Sequence, residues 1–338
     1  MKVLSLFDGI SCARVALKKA GYKYVEYYAS EIDSKAIEIA MRNFPDTIQL
    51  GGVQEVGKKD KRLRNIDLLI GGSPCQDLSI AGKRAGLSGE RSGLFWEYVR
   101  ILKEVKPKYF ILENVASMPK EAKEVITEAL GVEPIMINAS LVSAQQRKRL
   151  FWTNIPNVTQ PKDRGIMLKD IIHETRGEKF DLERYVIKGN HLEWITNDMR
   201  LKKKYTALNG DKALTMMARQ YASWNGQYLL VVPEATKKGF ALAEFGDSVD
   251  LSFPNSTTRR GRVGKKAKTL MTSSTIGVVG KGYVRKLTPT ECARLQSLPR
   301  NYVKGASDSQ AYKALGNAFN ADVIAHQLKN IKHGINNK

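Results

Sequence analysis

Over residues 1–155 short apolar runs alternate with amphipathic segments, and this pattern constrains the fold more than any other feature of the chain. Val3–Phe7, Tyr24–Ser30, Asp67–Gly71, Tyr109–Glu113, Pro134–Ala139 and Leu150–Asn154 have strand length and carry β-branched and aromatic residues. Between them, Cys12–Ala20, Ser34–Asn43, Gly93–Val105 and Pro119–Leu130 space their apolar side chains at the helical period. Strands that alternate with helices predict an α/β fold, a mostly parallel sheet with helices on both faces. Ligands of such sheets sit at the carboxyl ends of the strands, beside the point where strand order reverses.

Near residue 156 the pattern changes. From there to 284 helical periodicity fades, and short β-like pieces mix with basic, Gly/Ser/Thr-rich stretches such as Arg200–Tyr205 and Arg259-Arg260-Gly261-Arg262. Lys212–Thr215 followed by Tyr228–Val232 is echoed by Lys266–Leu270 followed by Ile276–Val279, which fits either a duplicated β unit or chance. After 285 the chain turns helical again. Thr288 caps a helix that opens with Pro289, and a last helix is expected over Ser309–Ile331. The expected layout is residues 1–155, an irregular β-containing insert at 156–284, and a helical return at 285–338.

Charge identifies the kind of partner. Lys and Arg number 55 against 34 Asp and Glu, a formal net charge of +21 in 338 residues. Such an excess fits a polyanion, because cations that neutralise phosphates release condensed counterions; a basic surface kept for solubility or membrane contact is the other reading. Cys12, Cys75 and Cys292 stand far apart without a CxxC pair, so neither a disulfide framework nor a metal site is expected. With no cleavable leader and no long apolar run, the expected location is cytoplasmic.

Several strand ends carry residues suited to chemistry. Phe7-Asp8-Gly9-Ile10-Ser11-Cys12 forms a small-residue turn between strand and helix, where backbone can approach a ligand. Ser30-Glu31-Ile32-Asp33 places acids where ribose hydroxyls bind in dinucleotide folds, although Asp33 also suits a helix N-terminus. Gly71-Gly72-Ser73-Pro74-Cys75-Gln76 presents a thiol at the sheet's carboxyl edge, and the Gly-rich basic stretch after it, with Lys83, Arg84 and Arg91, suits a closing loop or a plain surface loop. Glu113 ends an apolar run where a carboxyl group could hold a proton. Arg147 and Arg149, two apart in an extended segment, share a face.

Taken in order, Phe-Asp-Gly, Glu-x-Asp, Gly-Gly-Ser-Pro-Cys-Gln, Arg-Ser-Gly-Leu-Phe, Glu-Asn-Val and Gln-x-Arg-x-Arg resemble the motif series of DNA cytosine-C5 methyltransferases. Arg285–Gln296 and Ala314-Leu315-Gly316-Asn317-Ala318 resemble that family's two C-terminal motifs. The resemblance implies a Rossmann-like methyltransferase sheet with a smaller target-recognition domain, the cofactor S-adenosylmethionine and a double-stranded DNA substrate. It implies Cys75 as nucleophile, with Glu113, Arg149 and Arg147 as catalytic partners. It assigns cofactor contacts to Phe7, Asp8, Gly9, Glu31, Ile32, Pro74, Leu94 and Asn317. DNA contacts fall on Gln76, Ser79, Lys83, Arg84 and Arg91, and on Arg259, Arg260 and Arg262 in the insert. A monomer is expected, with a cognate restriction endonuclease as a possible companion.

The chain departs from the family pattern twice. Ser11 and Cys12 stand where many bacterial members have Gly-Gly, and Gly51-Gly52-Val53 stands where Gly-Asp is usual. By the resemblance, the second change removes an adenine-contacting carboxylate, which either weakens cofactor affinity or is made good by Asp67 or another acid. Rival functions on the same scaffold are a tRNA cytosine methyltransferase and a DNA-binding paralogue without activity. The long insert and the lack of a Cys-Phe-Thr tripeptide favour DNA, and the intact Cys75, Glu113 and arginines favour an enzyme.

Overall fold

A computed structural model describes residues 1–74, 93–173, 176–179, 181, 183–187, 197–218, 225–237, 240–244, 248–250, 263–264, 276–278 and 283–331. The six expected strands appear as β1 (Lys2–Leu6), β2 (Glu26–Ser30), β4 (Leu68–Gly71), β5 (Tyr109–Val115), β6 (Ile135–Asn138) and β7 (Lys148–Thr153), joined by a two-residue β3 (Ile48–Gln49). They form one seven-stranded sheet in the order β3-β2-β1-β4-β5-β7-β6. Neighbours from β3 to β5 pair parallel, and β7 runs antiparallel between β5 and β6. Strand order reverses between β1 and β4, which makes their carboxyl ends the natural ligand site.

Both faces of the sheet are dry. Val3, Ile70, Ile111 and Phe151 belong to the core on one side, and Leu4, Leu69, Leu112 and Trp152 to the core on the other. This alternation is why the strands read as unbroken apolar runs rather than as every second residue. Trp152 is fully buried and donates its indole N–H to Thr127 Oγ1 at 2.9 Å, so its one polar atom is satisfied.

The helices α1 (Cys12–Lys19), α2 (Ser34–Asn43), α3 (Leu94–Val105) and α4 (Lys120–Leu130) match the sequence pattern to within a residue. Asp33 caps α2 by accepting from Lys35 N at 3.0 Å. In the insert, β8 (Val186–Ile187), β9 (Thr206–Leu208), β10 (Gly226–Pro233), β11 (Phe240–Leu242) and β15 (Tyr283–Lys286) form a second sheet. A third contains β12 (Ser248–Asp250), β13 (Val263–Gly264) and β14 (Ile276–Val278). The segments after the two sequence echoes, β10 and β14, therefore lie in different sheets.

The C-terminal return contains α6 (Pro289–Leu295), α7 (Asp308–Asn317) and α8 (Ala321–Leu328), after a short insert helix α5 (Asp198–Lys202). Thr288 caps α6 as expected, and Glu291 closes the box by accepting from Thr288 N at 2.8 Å. The single helix expected over Ser309–Ile331 is broken into α7 and α8. At the break Asn320 accepts from Asp322 N and Val323 N, both at 3.1 Å, and Gln296 and Arg147 take up the Ala318 carbonyl. Helix α8 then packs along α1, where Lys19 binds Asp322 at 2.7 Å and Tyr22 donates to Leu328 O. Gly316 sits inside α7 despite its helix cost of about 1 kcal/mol. A Cβ there would lie 2.4 Å from Ala218 N and 2.5 Å from Met217 C, so the helix rests directly on insert backbone.

Candidate active site

Five strand ends build the site. β5 carries Glu113 opposite Phe151, and Val115 opposite Arg149, so the ladder puts Glu113 and Arg149 on one face two positions apart. Arg149 Nε lies 2.8 Å from Glu113 Oε1, and both side chains are mostly buried. The pair is ionic without hydrogen-bond alignment at Nε, while Arg149 Nη1 donates to Lys148 O at 2.8 Å. The run Leu150–Asn154 begins two residues earlier than expected, and that extension is what brings Arg149 into the sheet.

Beside the pair, the backbone leaving β4 passes very close. A Cβ on Gly72 would stand 3.1 Å from Glu113 Oε2 and 2.9 Å from Phe319 Cε1, so only glycine fits without displacement. The next residue, Ser73, is buried and accepts from Asn114 Nδ2 at 3.2 Å, while Asn114 Oδ1 accepts from Val115 N at 2.8 Å. β5 thus fixes the strand end from which Pro74 and Cys75 follow. Cys75, Gln76, Ser79, Lys83, Arg84 and Arg91 lie outside the described residues, as do Arg259, Arg260 and Arg262. Glu113, Arg147, Arg149, Phe151, Phe319 and Asn320 line a small cleft. Phe319 and Asn320 were not legible as site residues, because they follow the last motif with no chemical signature of their own.

Arg147 is 4% exposed and donates to Met216 O at 3.1 Å, Gly316 O at 3.2 Å and Ala318 O at 3.0 Å. It clips three segments together, the catalytic sheet, the insert and the C-terminal return. These bonds hold Arg147 beside the Glu113–Arg149 pair, consistent with the supporting role that the motif implies for it.

The second cluster surrounds the turn after β1. Phe7, Gly9 and Ser11 all adopt positive φ (56°, 59° and 57°), which folds the turn tightly. Asp8 faces inward, 6% exposed, and accepts from Ser11 Oγ and from Tyr27 OH at 2.6 Å. Burial raises the Asp8 carboxyl above its ordinary range, against the hydrogen bonds from Ser11, Ser5 and Tyr27. Its backbone is bonded as well: Asp8 N donates to Ser30 O and Asp8 O accepts from Ser11 N, both at 3.1 Å. Cys12 is buried as well, and desolvation pushes its thiol far up, so it is packing rather than chemistry. The bulk of Ser11 and Cys12 is thus absorbed inward instead of filling the ligand edge. Tyr302 holds the same turn from the C-terminal return by donating to Ile10 O at 2.6 Å.

Glu31 joins the first two turns. Its Oε2 accepts from Gly9 N at 2.8 Å, and its Oε1 from Ile32 N at 2.8 Å and Asp33 N at 2.9 Å. A carboxylate offers about four acceptor sites, so capacity for a hydroxyl donor remains. Next to it Ile32 is 81% exposed, a large apolar side chain left open at a strand end. Leu94, at the start of α3, and Phe7 are each partly buried against the same core, and Asn317 ends α7, which Lys313 ties to Asp33 at 2.6 Å. Asp67 does not replace the absent carboxylate: it accepts from Lys2 N at 2.7 Å, at the amino end of β4 and the far edge of the sheet. Near Gly52 the polar neighbour is Gln54, whose Oε1 lies 3.3 Å from a Cβ built there.

The model of the C-5 cytosine-specific DNA methylase family matches residues 1–333. The chain is 27% identical to an orphan methyltransferase of Bacillus phage SPR, covering 100% of this chain and 99% of that protein. It is 30% identical to the type II methyltransferase M1.ScrFI of Lactococcus lactis, over 96% of this chain and 76% of that one. Among solved structures, the Entamoeba histolytica methyltransferase EhMeth superposes with a TM-score of 0.69 at 16% identity, covering 98% of this chain and 97% of that one. Spodoptera frugiperda DNMT2 gives 0.65 at 20%, covering 97% and 98%. With the family model spanning nearly the whole length, the chain belongs to the C-5 cytosine-specific DNA methylases, a family of DNA (cytosine-5-)-methyltransferases.

Proposed function

We propose that this chain methylates C5 of a cytosine held out of a DNA duplex, through a transient bond between Cys75 and C6 of the base. The observation that carries the reading is the Glu113–Arg149 pair, facing a cleft one strand away from the Gly72-Ser73 turn that leads to Cys75. Cytosine C5 is a weak nucleophile until a group adds at C6. The Cys75 thiolate makes that addition, and a carboxyl at Glu113 engages N3 and the exocyclic amine to draw electron density into the ring. The Arg149 guanidinium meets the O2 carbonyl, where negative charge builds. Loss of the C5 proton and departure of Cys75 restore the aromatic ring. A duplex hides C5 and C6, so the base must be flipped out at a cost of a few kcal/mol; Gln76, Ser79 and the basic stretch after them serve that step.

S-adenosylmethionine supplies an electrophilic methyl group when bound, and the residues present fit it. Glu31 retains acceptor capacity for a ribose hydroxyl, exposed Ile32 offers an apolar surface for a flat base, and the space beside Gly9 is open, with nothing within 4 Å of a Cβ built there. Gln54 stands in for the absent acid at position 52. A strand trap tests the whole reading. Wild-type protein with cofactor and a 5-fluorocytosine duplex should form a covalent adduct resistant to denaturant, and Cys75→Ser should form none. No adduct with any genomic DNA, or label entering only tRNA in competition, would overturn it.

A further inference from the structure

The amino edge of the main sheet, opposite the edge that bears the site, holds a basic surface that the proposed chemistry does not use. Parallel strands run from this edge to the active one, so the two lie about 15–20 Å apart, the length of a strand. Residues 57–66, entering β4, carry Lys58, Lys59, Lys61, Arg62 and Arg64 against the single acid Asp60, and all five cations are exposed. The last turn of α3 and the segment entering β5 add exposed Lys103, Lys106 and Lys108 against Glu104.

These two turns touch. Lys108 N donates to Ile66 O at 3.2 Å, and Lys58 N donates to Glu104 Oε2 at 3.1 Å. Lys2 and exposed Lys23, beside Tyr24 at 88% exposure, continue the surface along the starts of β1 and β2. With adjacent strands about 4.8 Å apart, the stripe from β2 to β5 is roughly 15 Å long. Acids neutralise only part of it. Asp60 pairs with Arg62 at 2.7 Å and Glu26 with Lys2 at 3.9 Å, while Glu104 pairs with Arg100 at 3.1 Å. Lys59, Lys61, Arg64, Lys106 and Lys108 form no ion pair with any described residue. Like charges crowded this way repel one another, and a polyanion relieves the repulsion.

We infer that the amino edge is a second, sequence-independent contact for duplex DNA, binding the phosphates of a segment other than the one held at the active edge. The identity of the polyanion rests on the proposed activity; the surface itself does not. Duplex DNA presents one charge per about 1.7 Å of axis, so a stripe of this length faces several phosphates at once. A protein that grips two segments stays near its substrate while it searches, because the second contact acts at high local concentration.

The test uses the full chain. Protein loaded on a short bead-bound target duplex is offered a second, labelled, non-target duplex. Wild type should retain the second duplex, and K59E/K61E/R64E should lose at least tenfold of that retention while methylating the short duplex at the wild-type rate. The neutral variant K59Q/K61Q/R64Q should fall between them. For long DNA the slope of log K against log salt should drop by about two to three, near 0.9 per phosphate contact removed. Equal retention by wild type and charge-reversed protein would overturn the inference, as would capture of anionic lipid vesicles in place of the duplex. If wild type captures the second duplex yet methylates no DNA, the proposed reaction fails and the second surface stands.

Discussion

Replacing Gly72 by Ala tests whether the turn after β4 sets the position of the catalytic carboxylate. The new methyl group would start 2.9 Å from Phe319 Cε1 and 3.1 Å from Glu113 Oε2. Carbon atoms rest at about 3.5 Å or more, so the ring and the carboxylate must each yield several tenths of an ångström. Overpacking of this kind costs about 1–3 kcal/mol of stability. The catalytic effect should be larger in proportion, since a misplacement near 1 Å can cost about a hundredfold in rate. A shift of about half that size at Glu113 gives roughly a tenfold loss of kcat, with little change in KM for the cofactor. Single-turnover methylation of a short duplex reads the chemical step directly. Phe319→Leu removes the ring that blocks retreat of the new methyl, so Gly72→Ala with Phe319→Leu should recover much of the rate, a coupling visible in a double-mutant cycle. A wild-type rate in Gly72→Ala would refute the reasoning. So would an equal loss with and without Phe319→Leu, since the methyl would then act by some other route.

Arg147→Met removes donors from the Met216 and Gly316 carbonyls, while Gln296 still serves Ala318 O at 3.2 Å, so a urea midpoint should report about 2–4 kcal/mol of lost stability. A loss under about 1 kcal/mol, or a collapsed rate in fully folded protein, would place Arg147 in the chemistry instead. At the junction of insert and α6, Glu178 is lowered from 4.5 to about 2: burial raises it, but bonds from Arg294, Arg176 and His173 outweigh that. A depressed acid stabilises the fold above its unfolded pKa and loses that contribution as pH falls through the folded one. About 3 kcal/mol should therefore vanish between roughly pH 4.5 and 2 in wild type, and be missing throughout in Glu178→Gln. Neighbouring His173 is depressed by burial, so its contribution is present above about pH 6.5 and declines below it, the same direction. Parallel wild-type and Glu178→Gln stability curves across that acid window would contradict the assignment. Ser11 sits at φ 57° and donates to buried Asp8, so Ser11→Ala should destabilise more than Ser11→Gly, by about 1–2 kcal/mol of left-handed strain; equal melting temperatures would remove the strain argument.

The sequence by itself determined the sheet and its active edge. Apolar runs of strand length between helical periods leave few packings, and strand ends in a parallel sheet gather at one side, so Glu31, Ser73 and Glu113 could be placed there from pattern alone. The ordered motifs determined the family, which the match over residues 1–333 then showed. Only the tertiary structure decided what depends on contacts between segments far apart in the chain. It turned Ser11 and Cys12 inward, sent Asp67 to the wrong edge for adenine, and directed Arg147 to carbonyls in the insert and the C-terminal return. It also broke the last helix at Asn320, where long-range donors compete with helical periodicity, and brought Phe319 against Gly72. None of these has a local signal, because a residue's spacing along the chain fixes its element and face, while its partner is fixed by whichever distant segment packs there.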